Sequence, residues 1–503
     1  MVIYFSSLIV PLFSTIFFII FLYKWRYNTA SKPRKTLPPS PRKLPIIGNL
    51  HQVTSHPHRF FHSLSKRYGP LLMVHFGSTP VLVASSADAA REIMKNQDLI
   101  FASRPKIAVA EKMVYGAKDV AFAPYSEYWR QMRSICVLHL LSNKRVQSFR
   151  HVREEETSAM IERIRESGSA AVDFSAMFSS LTNDVLCRVV LGKKYGQFKD
   201  FIRRATEVIG TPNIGDYFPW LAWINKINGF DSKVDNVCKD FDEFLVNVIK
   251  NHRDEEEQGK KNEGSNFVEI LLEFQRDNKN TSPIEDEALK ALLMDMFVGG
   301  TDTSQTLLEW TLAELLKHPK VMKKLQKEIR QIASTKQDIT EDDLENMHYL
   351  KAVMKESLRL HPPIPLLVPR VASVDTNVLG YDVAAGTQVF ISAWTIGRDP
   401  SLWKDPEEFD PERFFETSID FRGFHFEFTP FGAGRRGCPG VAFAIHLDEL
   451  ALAKLLHKFD FMLPDGVKEE DLDMTDGIGM TVHKNIPVSA VVVAAVSPLV
   501  EEY

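Results

Sequence analysis

Residues 431–440 read Phe431-Gly432-Ala433-Gly434-Arg435-Arg436-Gly437-Cys438-Pro439-Gly440, and an apolar helical pattern follows at once over residues 441–459. Pro439 suits a first helical turn, because its φ is fixed and its missing N–H is not needed there. Cys438 then falls at a helix N-terminus, where the dipole favours an anion and lowers a thiol pKa. The glycines let the chain turn sharply and aim N–H groups at the sulfur. A thiolate held in this way is a ligand for a metal such as iron, and hydrogen bonds to the sulfur tune its electronics. Against this stands the ordinary role of a lone cysteine, a small buried hydrophobe.

The chain has 503 residues, 44% hydrophobic and 25% charged, with a net charge of −4. This is a globular composition, and nothing in it calls for nucleic acid as a partner. The other cysteines, Cys136, Cys187 and Cys238, lie far apart in sequence, which points neither to a zinc site nor to a disulfide framework. A reducing compartment is the simpler expectation.

Residues 2–23 carry no charged side chain. As a helix they would span roughly 33 Å, enough to cross a bilayer. Lys24, Arg26, Lys32, Arg34 and Lys35 follow, so the C-terminal side is expected in the cytosol. The run is too long for a signal-peptide core, and Tyr23-Lys24-Trp25-Arg26 is a poor cleavage site. Residues 1–23 are therefore expected to be an uncleaved single-pass anchor. Residues 24–50, basic and rich in proline, are expected to be a stiff hinge. The body, residues 51–503, shows no internal boundary or repeat.

Within the body, helical spacing covers residues 60–68. Residues 71–76 and 81–84 alternate as the strands of a hairpin, and Ser86 can cap a helix running to about Asn96. Residues 125–330 are helical almost throughout, with a charged loop expected at 254–264. Strand signals recur at 388–392 and near 478–482.

Trp129 and Arg133 lie four apart on one helical face. Residues 282–318 read as one long helix: Ser282 can cap it, Pro283 suits its first turn, acids fill positions 285–287, and Pro319 stops it. Gly299 and Gly300 weaken its middle by about 1 kcal/mol each. Such a spot serves either close packing or a functional bulge. Met296, Gly300, Thr303 and Leu307 share a face. Glu356 and Arg359 pair on another helix, which Pro362-Pro363 ends. Residues 363–370 are apolar and extended, and finish in Arg370.

Taken together and in this order, these stretches resemble the cytochromes P450, the haem-thiolate monooxygenases. Phe431, Gly434, Arg436, Cys438 and Gly440 occupy the fixed positions of F-x-x-G-x-R-x-C-x-G. Trp129 and Arg133 fit W-x-x-x-R, residues 299–304 fit [AG]-G-x-[DE]-T-[TS], Glu356 and Arg359 fit E-x-x-R, and residues 411–414 are P-E-R-F. The proline hinge and residues 393–400 and 428–436 look most like the plant clan numbered seventy-one. The resemblance implies a mainly α fold with small β-sheets, and haem b with Cys438 as its axial iron ligand. It implies that Phe431 lies on the haem loop and that Trp129, Arg133, Arg370 and Arg436 meet the haem propionates. Asp302 and Thr303 would bind dioxygen and relay protons where the long helix bends. Glu356, Arg359 and Arg413 would hold the cysteine loop in place.

The same resemblance places Met296, Gly299, Gly300, Leu307, Ile364, Leu366, Leu367 and Ile478 in a substrate pocket. Its lining, from residues 107–121, 210–218, 296–307, 364–368 and 475–481, is apolar and suits a neutral molecule. Asp476 could pair with a basic amine, although a polar loop tip is its simpler role. Terpenoids come first among the substrates the clan implies, ahead of coumarin-type phenolics and alkaloids. Electrons would come from NADPH through cytochrome P450 reductase, with cytochrome b5 as a second donor. The protein would sit in the endoplasmic reticulum membrane. Basic Arg130, Lys144, Arg145 and Arg435 would offer a docking face to an acidic reductase. Two rivals stand beside this reading. One is a haem-thiolate isomerase or lyase acting on peroxides, which would not need Asp302 and Thr303. The other is a membrane-anchored haem protein without catalysis.

Overall fold

Helices dominate because the apolar residues recur with helical period over most of the chain, and short sheets form at its margins. The computed structural model describes residues 15, 16, 18, 19 and 36–495, apart from 169, 197, 260–265, 279–282, 335 and 465. The expected anchor and the basic half of the hinge thus lie almost wholly outside the described residues. Among those described, no helix is long and apolar enough to cross a membrane.

The axis of the molecule is the helix Asp286–Lys317, hereafter the central helix. Its 32 residues span roughly 48 Å. Most of its residues are buried from every side, as expected of a helix apolar nearly all round. It starts at Asp286 after Glu285, later than residue 282, and runs through Gly299 and Gly300 without a break in its α-helical hydrogen bonding. Among the described elements it packs most extensively against Phe174–Leu191. The helix Val441–Lys458, which follows the cysteine loop, crosses behind it.

The expected hairpin is present. Leu71–Phe76 pairs antiparallel with Thr79–Ala84, and the Ser86 hydroxyl accepts from the Ala89 N–H to start the next helix. Gln388–Ile391 adds parallel to Thr79–Ala84, and Arg370–Val371 adds antiparallel beyond it. This sheet delivers Arg370 to the site. A second sheet of Ala171–Asp173, Ser489–Ala494 and Phe459–Met462 carries no strong sequence signal, being short and partly exposed. Two expectations fail. Residues 254–257 continue the helix Phe230–Glu257, because charged residues suit an exposed helix face as well as a loop. Residues 478–482 are not a strand but the tip of a turn closed by an Asp476–Lys484 bridge, since glycines at 477 and 479 interrupt any ladder.

Candidate active site

The cysteine loop is a set of tight turns. Gly432 N–H bonds the Thr429 carbonyl (3.0 Å), Gly437 N–H that of Gly434 (3.0 Å) and Cys438 N–H that of Phe431 (2.9 Å). The helix begins at Val441 with Gly440 as its cap, so Pro439 precedes the helix and does not form its first turn. The Cys438 sulfur is surrounded by protein yet accessible, so it faces an interior space. Burial pushes its thiol pKa up, and the N–H groups of Gly440 and Val441 and the charge of Arg133 only partly offset this. The helix start alone therefore does not make a thiolate here, contrary to the expectation from the dipole.

Four arginines converge near this loop, and they bind main-chain oxygens in place of carboxylates. Arg133 donates to the Gly437 carbonyl (2.6 Å) and Arg370 to that of Ala433 (3.1 Å), so both fasten the loop. Arg436 reaches Ala102 O (2.6 Å) and Val120 O (3.0 Å) and lies 4.1 Å over the Trp129 ring. Trp129 gives its indole N–H to the same Val120 carbonyl (3.0 Å). Arg104, which no sequence motif flagged, donates to Ala121, Val368 and Pro369. Burial, and then mutual repulsion, lowers the pKa of Arg436 to about 9; burial lowers that of Arg370 to about 10 and depresses those of Arg104 and Arg133. Desolvated cations crowded together favour an anionic guest. One open thiol beside this cluster fits an iron macrocycle bearing two carboxylates: the sulfur is the soft donor, and the guanidinium groups supply the countercharge.

Glu356, Arg359 and Arg413 do come together, and among the described residues none of their hydrogen bonds or ion pairs reaches the cysteine loop. Glu356 takes both Arg359 nitrogens at 2.7 Å, Arg413 Nε at 3.0 Å and the Asp410 N–H at 2.8 Å. Arg359 also donates to the Gly397, Pro406 and Glu408 carbonyls. Glu356 and Arg359 are fully buried and Arg413 is mostly so. The link to the loop is aromatic. Arg359 lies over Trp403 (5.4 Å), which packs on Phe428; Phe428 meets Phe421, and Phe421 meets Phe431 (5.5 Å).

On the central helix the two glycines differ. A Cβ on Gly300 would meet Leu186 at 3.0 Å, whereas one on Gly299 would meet nothing within 4 Å. Gly300 thus serves packing, and Met296 and Leu307 are likewise buried in the main core. The expected pocket face at 296, 300 and 307 is a packing face. The open side is that of Gly299 and Thr303. The Thr303 hydroxyl donates to the Gly299 carbonyl (2.7 Å). Asp302 turns elsewhere: Oδ1 lies 3.0 Å from His483 Nε2, and Oδ2 accepts from the Thr481 hydroxyl.

Ile364, Leu366, Leu367 and Ile478 do come together. With Ile107, Phe122 and Ile209 they line a cavity of about 220 Å³. Asp476 is not a loop tip but buried, bound to His58 (2.9 Å) and Arg59 (2.5 Å), which hold its carboxyl below the usual carboxylate range. Of the basic docking candidates, Arg435 is engaged with Asp98 (2.9 Å).

The family model described as Cytochrome P450 matches residues 38–487. This chain belongs to the cytochrome P450 family. It is 54% identical to cytochrome P450 71A6 of Nepeta racemosa over 96% of this chain and 98% of that protein. It is 55% identical to (+)-menthofuran synthase of Mentha piperita over 90% of this chain and 92% of that protein. Against tabersonine/lochnericine 19-hydroxylase of Catharanthus roseus it is 50% identical, with 97% of each covered. A zebra fish cytochrome P450 solved with progesterone superposes with a TM-score of 0.76 at 26% identity, covering 88% of this chain and all of that one. The protein is thus a P450 oxidoreductase that uses haem, with electrons from NADPH through a separate reductase.

Proposed function

We propose that this P450 inserts one oxygen atom from O2 into a neutral, hydrophobic plant specialised metabolite, with a terpenoid the first candidate. The open Cys438 thiol beside four desolvated arginines carries the reading. Cys438 would hold the haem iron through its sulfur, Trp129, Arg133, Arg370 and Arg436 would hold the haem carboxylates together with Arg104, and Phe431 packs the loop. When bound, haem supplies the oxygen-activating centre. Around it, Gly299 keeps space open, and Thr303 keeps a hydroxyl at the surface of that space. Asp302 carries protons inward, which general acid–base chemistry needs at this step. Glu356, Arg359 and Arg413 are structural.

Substrate choice follows from charge. Near the cavity of Ile364, Leu366 and Leu367, the Asp476 carboxylate is already paired with the Arg59 guanidinium and hydrogen-bonded to His58. It is therefore not available to a basic amine, and this favours a terpenoid over an alkaloid. The names of the relatives span both classes. Residues 1–23 anchor the chain in the endoplasmic reticulum membrane, residues 24–50 act as hinge, and the body, residues 51–503, faces the cytosol. There NADPH-cytochrome P450 reductase and cytochrome b5 reach the exposed Arg130 and Lys144.

Cys438→Ser tests the core of this reading. The carbon-monoxide difference spectrum should lose its thiolate-type band, and product should vanish; a variant that keeps both overturns it. For the substrate, spin-shift titration of the parent with neutral terpenoids should give binding at lower concentration than with protonated alkaloids of similar size.

A further inference from the structure

His483 lies in the turn 475–485, which packs on the central helix, and no motif marks it. Its two ring nitrogens have assigned neighbours. Nε2 lies 3.0 Å from Asp302 Oδ1 and 2.9 Å from the Thr481 hydroxyl, and Nδ1 lies 2.8 Å from the Thr306 hydroxyl. The Thr481 proton is committed to Asp302 Oδ2, and the Thr306 proton to the Asp302 main-chain carbonyl at 2.8 Å. Both hydroxyls therefore present lone pairs to the ring. An imidazole facing acceptors on both nitrogens must carry both protons. With both hydroxyl protons so placed, the hydrogen bonds call for His483 as an imidazolium.

The charges around it agree. Asp302 and Glu309 face it from the central helix, Glu309 at 3.8 Å, and Lys484 beside it is turned toward Asp473. Ser175 and the Lys484 N–H occupy Glu309, so Asp302 is the acid left to pair with the ring. Burial opposes a charged ring, yet Asp302 and Glu309 raise the His483 pKa on balance; burial likewise opposes a charged Asp302, yet His483 and the Thr481 hydroxyl hold its pKa down. The His483 side chain is 29% exposed and that of Asp302 15%, so the histidine is the wetter member.

We propose that His483 is the positioning residue for Asp302: it holds the carboxylate away from Thr303 and returns a proton to it after each delivery. The inference rests on the relay assigned above to Asp302 and Thr303. In the return step, the imidazolium Nε2–H bond breaks and an O–H bond forms on Asp302 Oδ1. The pair becomes neutral imidazole and carboxylic acid, and the imidazole regains its proton from water at its exposed edge. A neutral acid is no longer held by charge and is free to turn toward Thr303.

The test uses full-length haem-loaded protein. The rate of His483 modification by diethyl pyrocarbonate, read by peptide mass across pH, should report a pKa above the ordinary value of about 6.5. In Asp302→Asn that value should fall back to it. NADPH oxidation by protein reconstituted with its reductase should decline as pH rises through the same raised pKa. His483→Gln keeps a hydrogen-bonding side chain but cannot carry the proton. It should remove that decline, run about a hundredfold slower and retain the carbon-monoxide spectrum. A His483 that titrates at or below the ordinary value, or that is unmoved by Asp302→Asn, overturns the clamp. An unchanged pH profile in His483→Gln overturns the proton return. If Asp302→Asn oxidises NADPH like the parent while still shifting His483, the clamp stands and the relay through Asp302 and Thr303 is what fails.

Discussion

At Gly434, φ is +68° and an added Cβ would stand 2.2 Å from the Met94 carbonyl oxygen. A side chain there costs about 1–2 kcal/mol for the left-handed backbone alone, and the clash with main chain adds to it. Gly434→Ala should therefore fold with less bound haem, read as a lower ratio of Soret to protein absorbance. Full haem occupancy in that variant would show that the loop can close another way. The position could be read from sequence because a glycine at fixed distance from Cys438 is a local pattern. Arg104 and His483 could not be read in this way. Their roles depend on carbonyls and carboxylates brought from more than a hundred residues away, such as Val368 for Arg104 and Asp302 for His483. Asp476 was misread for the same reason: a polar residue just before glycines suits a turn, and its burial against His58 is a tertiary fact.

Among the elements, the central helix gives the sharpest contrast. Alanine for glycine gains up to about 1 kcal/mol of helix propensity. At Gly299, with open space beyond, the gain should appear in full: Gly299→Ala should raise the melting temperature and weaken spin-shift binding of a bulky terpenoid by narrowing the site. At Gly300 the gain is offset by the 3.0 Å approach to Leu186, a flexible side chain that must yield. Gly300→Ala should melt near the parent and leave ligand binding unchanged. The opposite ranking would put Gly300, not Gly299, at the site. The helix itself was legible, since its apolar run and Pro319 stop are local signals. Which glycine faced outward was not, because a helix apolar nearly all round has no stripe to orient it.

The brace acts between elements. Glu356→Gln keeps the shape and removes the charge that the buried Arg359 and the mostly buried Arg413 share. Breaking one member of a buried ionic network costs about 3–5 kcal/mol. Thermal unfolding should show that loss. Because the network is linked to the cysteine loop through aromatic rings such as Trp403, Phe428 and Phe421, the carbon-monoxide spectrum of the surviving protein should keep its thiolate form. A normal melting temperature would remove the brace from the account.

For the whole molecule, the docking of the central helix onto the end of the helix His348–Leu360 sets a pH limit. Glu314 binds His361 Nε2 at 2.6 Å and His318 Nδ1 at 3.2 Å, and His361 stacks on Trp310 with rings 4.0 Å apart. Burial alone would raise the Glu314 pKa, but hydrogen bonds from the two histidines hold it at about 2, below an ordinary 4.5. Glu314 itself raises the His318 pKa, while burial lowers that of His361, so His318 is the cation of the pair. A folded pKa below the unfolded one gives stability that is present above about pH 4.5 and lost as pH falls toward 2. The full contribution is about 3 kcal/mol, and about 2 kcal/mol of it should go between pH 5 and pH 3. Other carboxylates titrate in the same window, so the measurement is a difference. Unfolding free energies of the parent and Glu314→Gln, taken at both pH values, should converge by about that amount on acidification. Parallel losses in the two proteins would mean that Glu314 is not held ionised by its histidines.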